Sequence, residues 1–208
     1  MWILKPIQID DRSIIEDFVR KNGLATLISN GNEYPEATHV PIEWETSDTN
    51  KQVLRGHLSK ANTQWEDFLI HPKVLVIFQS PVQHYISSSW YGHPNAPTWN
   101  YMSVHITGEV KIIEGDLLWD SVSRLTDKYE KMVQNPVSLN TLPPSVQKQM
   151  HGIVGFEIKI DKIQASFKMS QNRSDEDYQN IIKELYKLNT TFSCLMADAL
   201  KLNRPSLF

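Results

Sequence analysis

Apolar and polar residues alternate along "LATLIS", "EATHVPIEW" and "VLRGHLS", and the breaks between these runs, Asn30-Gly31 and "TSDTNK", are rich in turn formers. A period of two with such breaks predicts three antiparallel strands. Ahead of them, "DDRSIIEDFVRKNG" places Ile14, Ile15, Phe18 and Val19 at helical spacing, with Ser13 and Glu16 in capping-box register and Gly23 as a stop. This predicts a first helix. Thr63 and Glu66 repeat the capping spacing in "TQWEDFLIH", so a short helix is expected before Pro72, with Trp65, Phe68 and Leu69 turned to the core.

Farther along, "KVLVIFQ" is apolar, short and β-branched, which predicts a buried, central strand. "NYMSVHITGEVKII" reads as one long strand in which Gly108 marks a bulge or a close approach of backbone. Leu118, Val122, Leu125, Tyr129 and Met132 alternate at four- and three-residue spacing, an amphipathic helix over residues 116 to 133. "IVGFEIKI" and "KIQASFKM" supply at least one more strand. From Ser174 the pattern turns helical, with Tyr178, Ile181, Ile182 and Leu185 on one face, then Phe192, Leu195, Met196 and Ala199 on another. The expected fold is mostly β, a barrel with flanking helices, in a domain over residues 1–174 followed by a helical appendage over 175–208.

Composition narrows the function classes. The 208 residues are 40% hydrophobic, enough for a substantial core, and the net charge of -3 gives no general pull toward nucleic acid. The lone Cys194 sits on an apolar helix face, which fits a buried thiol in a reducing compartment. The start "MWILKPIQIDDRS" has no signal-peptide pattern, and no apolar run is long enough to cross a bilayer. A cytoplasmic protein is expected.

Candidate chemistry begins in "VLRGHLSKANTQWE". Strand alternation puts Arg55, His57 and Ser59 on one face, and Lys60 and Asn62 lie at the junction with the next helix, where free N–H groups favour an anion such as phosphate. The plainer alternative is a solvated strand face with ordinary capping. No GxGxxG or GxxxxGK[ST] occurs, so the chain shows no Rossmann or P-loop signature. The seven histidines make no HExxH and no close zinc-type cluster, and no nucleophile or triad stands out. In "SSSWYGHPNAPTWNY" the rings suit either a subunit interface and core or a planar ligand. Trp99 and Tyr101 share one strand face and Asn100 takes the other, an arrangement expected to pack rings inward and offer an amide outward.

The strings "LRGHLSKAN", "YISSSWY", "PTWNY", "VHITGEV" and "FKMSQNRS", in this order and spacing, resemble the PaiB family of FMN-binding negative transcriptional regulators over about residues 1 to 188. The resemblance implies an FMN-binding split β-barrel related to the pyridoxamine-phosphate oxidases, homodimeric, with flavin at the subunit interface. It assigns His57, Ser59, Lys60 and Asn62 to the phosphate and Thr38, His39 and Asn100 to the ring system. Trp99 becomes part of the cleft wall, and Lys168 reaches in from the second subunit. It also implies repression of protease production and sporulation in the cytoplasm. Two alternatives stay open: a flavin-dependent oxidoreductase acting on a small molecule, and a haem-binding relative using His39 or His57. DNA is a partner by resemblance only. Lys183, Lys187, Lys201 and Arg204 on the last two helices are diluted by Glu184 and Asp198.

Overall fold

The computed structural model describes residues 1–208. In chain order the elements are β1 (Gln8–Ile9), α1 (Arg12–Lys21), β2 (Leu24–Asn30), β3 (Pro35–Thr46), β4 (Gln52–Ser59), α2 (Gln64–Ile70), β5 (Lys73–Gln79) and β6 (His84–Ile86). Then follow β7 (Thr98–Ile113), α3 (Gly115–Glu130), α4 (Pro144–Gln147), β8 (Ile153–Lys168), α5 (Asp175–Leu188) and α6 (Thr191–Asn203). The chain divides into two compact units. A barrel unit holds residues 16–78 and 105–163, and a helical unit holds residues 1–15, 79–104 and 164–208.

In the barrel unit the three expected strands are present and antiparallel, β2 against β3 through Leu27↔Thr38 and β3 against β4 through Trp44↔Leu54. β2 also pairs with β5, β4 with β8, and β7 with both β5 and β8, so six strands close into a ring. Alternate residues point inward: Leu27, Ile42, Leu54, Phe78, Phe156 and Ile158 are fully buried. On β4 the inward row is Leu54, Gly56 and Leu58. A Cβ on Gly56 would lie 2.7 Å from the Phe156 ring, which packs edge-on against Phe68. Burying these side chains supplies the main stabilisation of the barrel.

The outward row of β4 is not the solvated face that its polarity suggests. Arg55 is 3% exposed. Its guanidinium donates to Glu157 on β8 at 2.6 Å and to Glu45 on β3 at 2.8 Å. From α3, Arg124 reaches Glu45 at 2.7 Å and Lys128 reaches Glu43 at 2.7 Å, so ion pairs fasten this helix over the outer surface. Lys111 closes on the second Glu157 oxygen at 2.8 Å. Burial pushes the Glu157 carboxyl up, but the hydrogen bonds and charges of Lys111 and Arg55 outweigh it and hold the group below its ordinary range.

Helix starts differ from expectation in their caps. Asp11, not Ser13, accepts from the N–H groups of Ser13 (2.8 Å) and Ile14 (3.3 Å), and Ile14 is exposed while Ile15, Phe18 and Val19 are buried. At α2 the Thr63 side chain makes no cap. Asn62 Oδ1 accepts from Gln64 N at 3.0 Å, and Leu69, expected in the core, is exposed while Gln64 is buried in its place. "IVGFEIKI" and "KIQASFKM" form one continuous strand, β8.

The helical unit is built on α5 and α6. Asn189 ends α5 in the left-handed conformation at φ 48, and Thr190 starts α6 with a reciprocal capping box to Ser193. Their facing sides bury Tyr178, Ile181, Leu185, Met196 and Leu200 with Ile86 and Tyr91. The short β6 pairs with the start of β7 through Tyr85↔Trp99.

The Gly108 position is a close approach. A Cβ there would sit 2.2 Å from the Lys159 carbonyl oxygen of β8, inside any tolerable contact. Gly108→Ala is therefore expected to push β7 and β8 apart where the ring closes and to lower unfolding stability by about 1–3 kcal/mol or more, the usual cost of overpacking. Denaturant unfolding measures it, and an unchanged midpoint would mean that the two strands separate freely.

Candidate functional site

The end of β4 and the turn into α2 gather most of the residues predicted for phosphate. Asn62 donates its amide to Thr38 Oγ1 on β3 at 2.9 Å, and Ala61 N donates to Ser59 Oγ at 3.3 Å. The backbone is tied from both sides, Lys60 N to the Gly152 carbonyl at 2.9 Å and the Trp65 indole to the Lys60 carbonyl at 3.3 Å. Gln64 buries its amide here, donating to the Leu27 and Glu36 carbonyls and to Ser29 Oγ, while its Oε1 has no partner. The turn is thus rigid before any ligand arrives.

What it offers is a donor set. The Thr38 and Ser59 oxygens accept within the turn and keep their own O–H groups to give. The Lys60 ammonium has no carboxylate within ion-pair distance and lines a cavity of about 190 Å³ that also holds His151 and Glu114. Each of these groups, two hydroxyls and an unpaired ammonium, is of the type that donates to a phosphate monoester, though only Lys60 lines that cavity. The helix itself contributes little, because α2 has seven residues and carries Glu66 and Asp67 in its first turn. His39 is exposed on β3 beside Thr38. His57, one residue pair back along β4 from Ser59, is half-buried, and burial pulls its imidazole below the ordinary histidine range.

The other predicted residues belong to the helical unit. Asn100 is fully buried and its amide exchanges hydrogen bonds with the Ser170 hydroxyl at 3.0 and 3.1 Å. Trp99 is 54% exposed, and Tyr101 is half-buried. The sequence expectation is therefore reversed: the amide faces inward and the Trp99 ring faces out, because a partner hydroxyl lies at residue 170 and a buried amide needs one. Lys168 donates to the Thr98 hydroxyl. The loop before β7 is latched to α5: Gly92 N donates to Asp177 at 2.7 Å, Asn180 donates to the Trp90 carbonyl at 2.7 Å, and Arg173 lies 4.6 Å over the Tyr91 ring. Ser170, Asp177, Asn180, Gln64 and His151 carried no signal in the sequence. Each acts across a distance that spacing does not reveal.

A family model described as "Putative FMN-binding domain" matches residues 1–162. The chain belongs to this FMN-binding family. Its cofactor is FMN. The family member is 38% identical over 202 residues, 97% of each chain, to "Protease synthase and sporulation protein PAI 2" of Bacillus subtilis, the PaiB likeness that the sequence strings implied. Among solved structures, the "FAD and Heme binding protein from Mycobacterium smegmatis" covers 83% of this chain and 78% of its own at a TM-score of 0.63 and 16% identity. The "Flavocytochrome Anf3 from Azotobacter vinelandii" covers 83% and 75% at 0.62 and 16%. At such identity the likeness is one of fold: a mostly antiparallel split β-barrel with flanking helices. No helix of the FMN-binding chain is long and apolar enough to cross a membrane.

The depressed His57 has a consequence with a definite sign. Below the ordinary imidazole pKa of about 6.5 the unfolded chain takes up a proton that the folded chain resists, so stability present above that pH is lost as pH falls toward the folded value. His57→Gln is expected to flatten the fall in melting temperature between about pH 7 and 5. Parallel profiles for the two proteins would show that burial of His57 costs its charged form nothing.

Proposed function

We propose that the chain is an FMN-dependent negative regulator of protease production and sporulation that works as a homodimer. The observation that carries the flavin part is the rigid cluster of Thr38, Ser59, Lys60 and Asn62, whose donors match a phosphate. The regulatory part rests on similarity to the Bacillus protein along nearly its whole length. When bound, FMN supplies electron-transfer chemistry that protein side chains lack. The chain's own contribution is to hold the phosphate at the β4–α2 turn, with His39 and the half-buried His57 on the neighbouring strand positions.

Support for a dimer comes from the rings. Trp99, Tyr85 and Phe192 are exposed around a surface cleft of about 470 Å³, and Tyr85 and Trp99 stack edge-on at 6.1 Å. Exposed aromatic clusters of this kind are what a second subunit covers. Asn100 and Lys168, both engaged within their own chain, belong to the same proposal as groups near the flavin ring.

The C-terminal helices favour regulation without direct DNA contact. Arg204 pairs with Asp175 at 2.8 Å and stacks on Tyr178, Lys201 lies 4.7 Å over the Tyr186 ring, and Lys187 pairs with Glu184. With three of the four cations on these helices engaged and only Lys183 unpaired, a chain of net charge -3 has little left for phosphates of a duplex. That same observation favours a second reading, in which the protein is a flavin-dependent oxidoreductase and the regulatory effect follows from turnover of a small molecule.

Titration with FMN is expected to quench flavin fluorescence at the native mass of two chains. Lys60→Ala should weaken FMN by roughly tenfold or more, since charge-assisted hydrogen bonds contribute about 1.5–3 kcal/mol. Riboflavin, without the phosphate, should bind more weakly than FMN and lose less on this substitution. Equal affinity for both flavins would move the phosphate elsewhere.

For DNA, anisotropy titrations against promoter and scrambled duplexes, with and without FMN, are expected to give similar weak binding that fades steeply with salt. Tight promoter-selective binding at physiological salt, lost on neutralising Lys183, Lys187, Lys201 and Arg204, would establish the last two helices as a DNA surface instead.

A further inference from the structure

A second cavity opens on the outer face of the barrel unit, at the opposite end of β4 from Lys60. It measures about 390 Å³, within the size range of small-molecule pockets. Its apolar walls are Val53 on β4, Val110 on β7 and Leu117 on α3. Its floor is charged and built: Arg55 and Glu157, both more than nine-tenths buried, are held to each other at 2.6 Å. The carboxylates here are outnumbered. Glu45 and Glu157 are shared among Arg55, Lys111 and Arg124, three cations on two anions. Counted over the lining alone, Lys51, Arg55, Lys111 and Lys159 face Asp48, Glu109 and Glu157, again one positive charge in excess. Neither Lys51 nor Lys159 has a carboxylate within ion-pair distance. Lys111 is exposed apart from its contact with Glu157, a carboxylate to which Arg55 also donates twice.

We propose that this cavity binds a small carboxylate with a flat apolar body, its anion set among Lys51, Lys111 and Lys159 and its body against Val53, Val110 and Leu117. The binding energy has two sources that the lining supplies together. Apolar area leaves water against the three aliphatic walls, and a surplus positive charge next to a low-dielectric floor attracts an anion more strongly than an open surface would. A neutral ligand of the same shape gains only the first. The site is separate from the residues assigned to FMN, so its ligand is an effector or substrate fragment distinct from the flavin phosphate.

The probe is 2-naphthoate, with 2-naphthalenemethanol as the neutral match, added to the full chain labelled at its Ile, Leu and Val methyl groups. Saturable shifts are expected at Val53, Val110 and Leu117, with the alcohol binding several-fold more weakly. Lys51→Glu and Lys111→Met are each expected to weaken naphthoate by about threefold to fivefold, the scale of partly exposed charge pairs, while leaving FMN affinity unchanged. Leu117→Trp fills the cavity and should abolish the shifts at Val53 and Val110, and its spectrum reports folding directly. The proposal is overturned if naphthoate produces no saturable shift at these methyls, if the alcohol binds equally well, or if both charge variants bind as the parent does. A protein that fails to take up FMN yet shows the naphthoate pattern sinks the flavin assignment and keeps this one.

Discussion

One guanidinium organises the outer surface of the barrel. Arg55 stands on β4 between Glu45 of β3 and Glu157 of β8, tying three adjacent strands by hydrogen bonds that the backbone ladder does not make. Burying such a charge is costly unless every partner is in place, and deleting one partner of a buried pair typically costs about 3–5 kcal/mol. The arrangement meets that demand with Lys111 and Arg124 as second cations on the same carboxylates. It also fixes α3, since Arg124 and Lys128 of that helix are spent on Glu45 and Glu43. With α3 pinned near Arg55, the two ends of the β4 outer row meet different surroundings. One end carries Ser59 and Lys60, and the other opens into the cavity floored by Arg55 itself.

The strands were legible because their signal is local. Alternation in "LATLIS" and "VLRGHLS" sets which residues share a face, and the pairings Leu27↔Thr38 and Trp44↔Leu54 follow that parity. Parity does not say which face is buried. For "PTWNY" the two sets were separated correctly but assigned the wrong way round, because the deciding contact is the Ser170 hydroxyl seventy residues on. The same limit applied on β4, where Arg55 looked like a solvated residue until Glu157 and α3 covered it. Caps failed for a smaller reason. Asp11 and Ser13, or Asn62 and Thr63, are adjacent candidates with similar oxygens, and backbone torsion chooses between them.

Legibility of the candidate site was uneven on the same grounds. Ser59, Lys60 and Asn62 lie within four residues, so a strand-to-helix junction sufficed to single them out, and Thr38 joins them through one hydrogen bond from the adjoining strand. Strand parity in "PTWNY" already set apart Trp99 and Asn100, whereas Lys168 entered through family likeness alone. What neither source exposed is the rigidity of the junction. Gln64 reads in sequence as a polar residue on a short helix, yet it is fully buried and spends its amide on three oxygens from β2 and β3. A side chain used in this way restrains the turn, which would lower the ordering cost for the phosphate proposed there.

Both ends of β4 therefore derive from one strand whose middle is anchored by Arg55, and this bears on how occupation of one end could affect the other. Lys60 and Arg55 are five residues apart, about 17 Å along an extended strand. Between them the backbone is clamped by β3 and β8 through a continuous register from Val53↔Lys159 to Ser59↔Ile153. A strand held that tightly transmits little sliding, so occupation of one end changes the other mainly through charge, by adding an anion beside a network that already carries one excess positive charge. At that distance the effect is small where water screens it and larger along the buried path through Arg55 and Glu157. Direct DNA contact needs unspent cations on a surface, and of the four on the C-terminal helices only Lys183 is unpaired, the others being engaged by Asp175, Glu184 and aromatic rings. Three cations without a carboxylate partner, Lys60, Lys51 and Lys159, lie at the two ends of β4 beside cavities. The free positive charge at these two ends is therefore placed to meet small anions in cavities, where low-dielectric walls strengthen its pull over that of an open face.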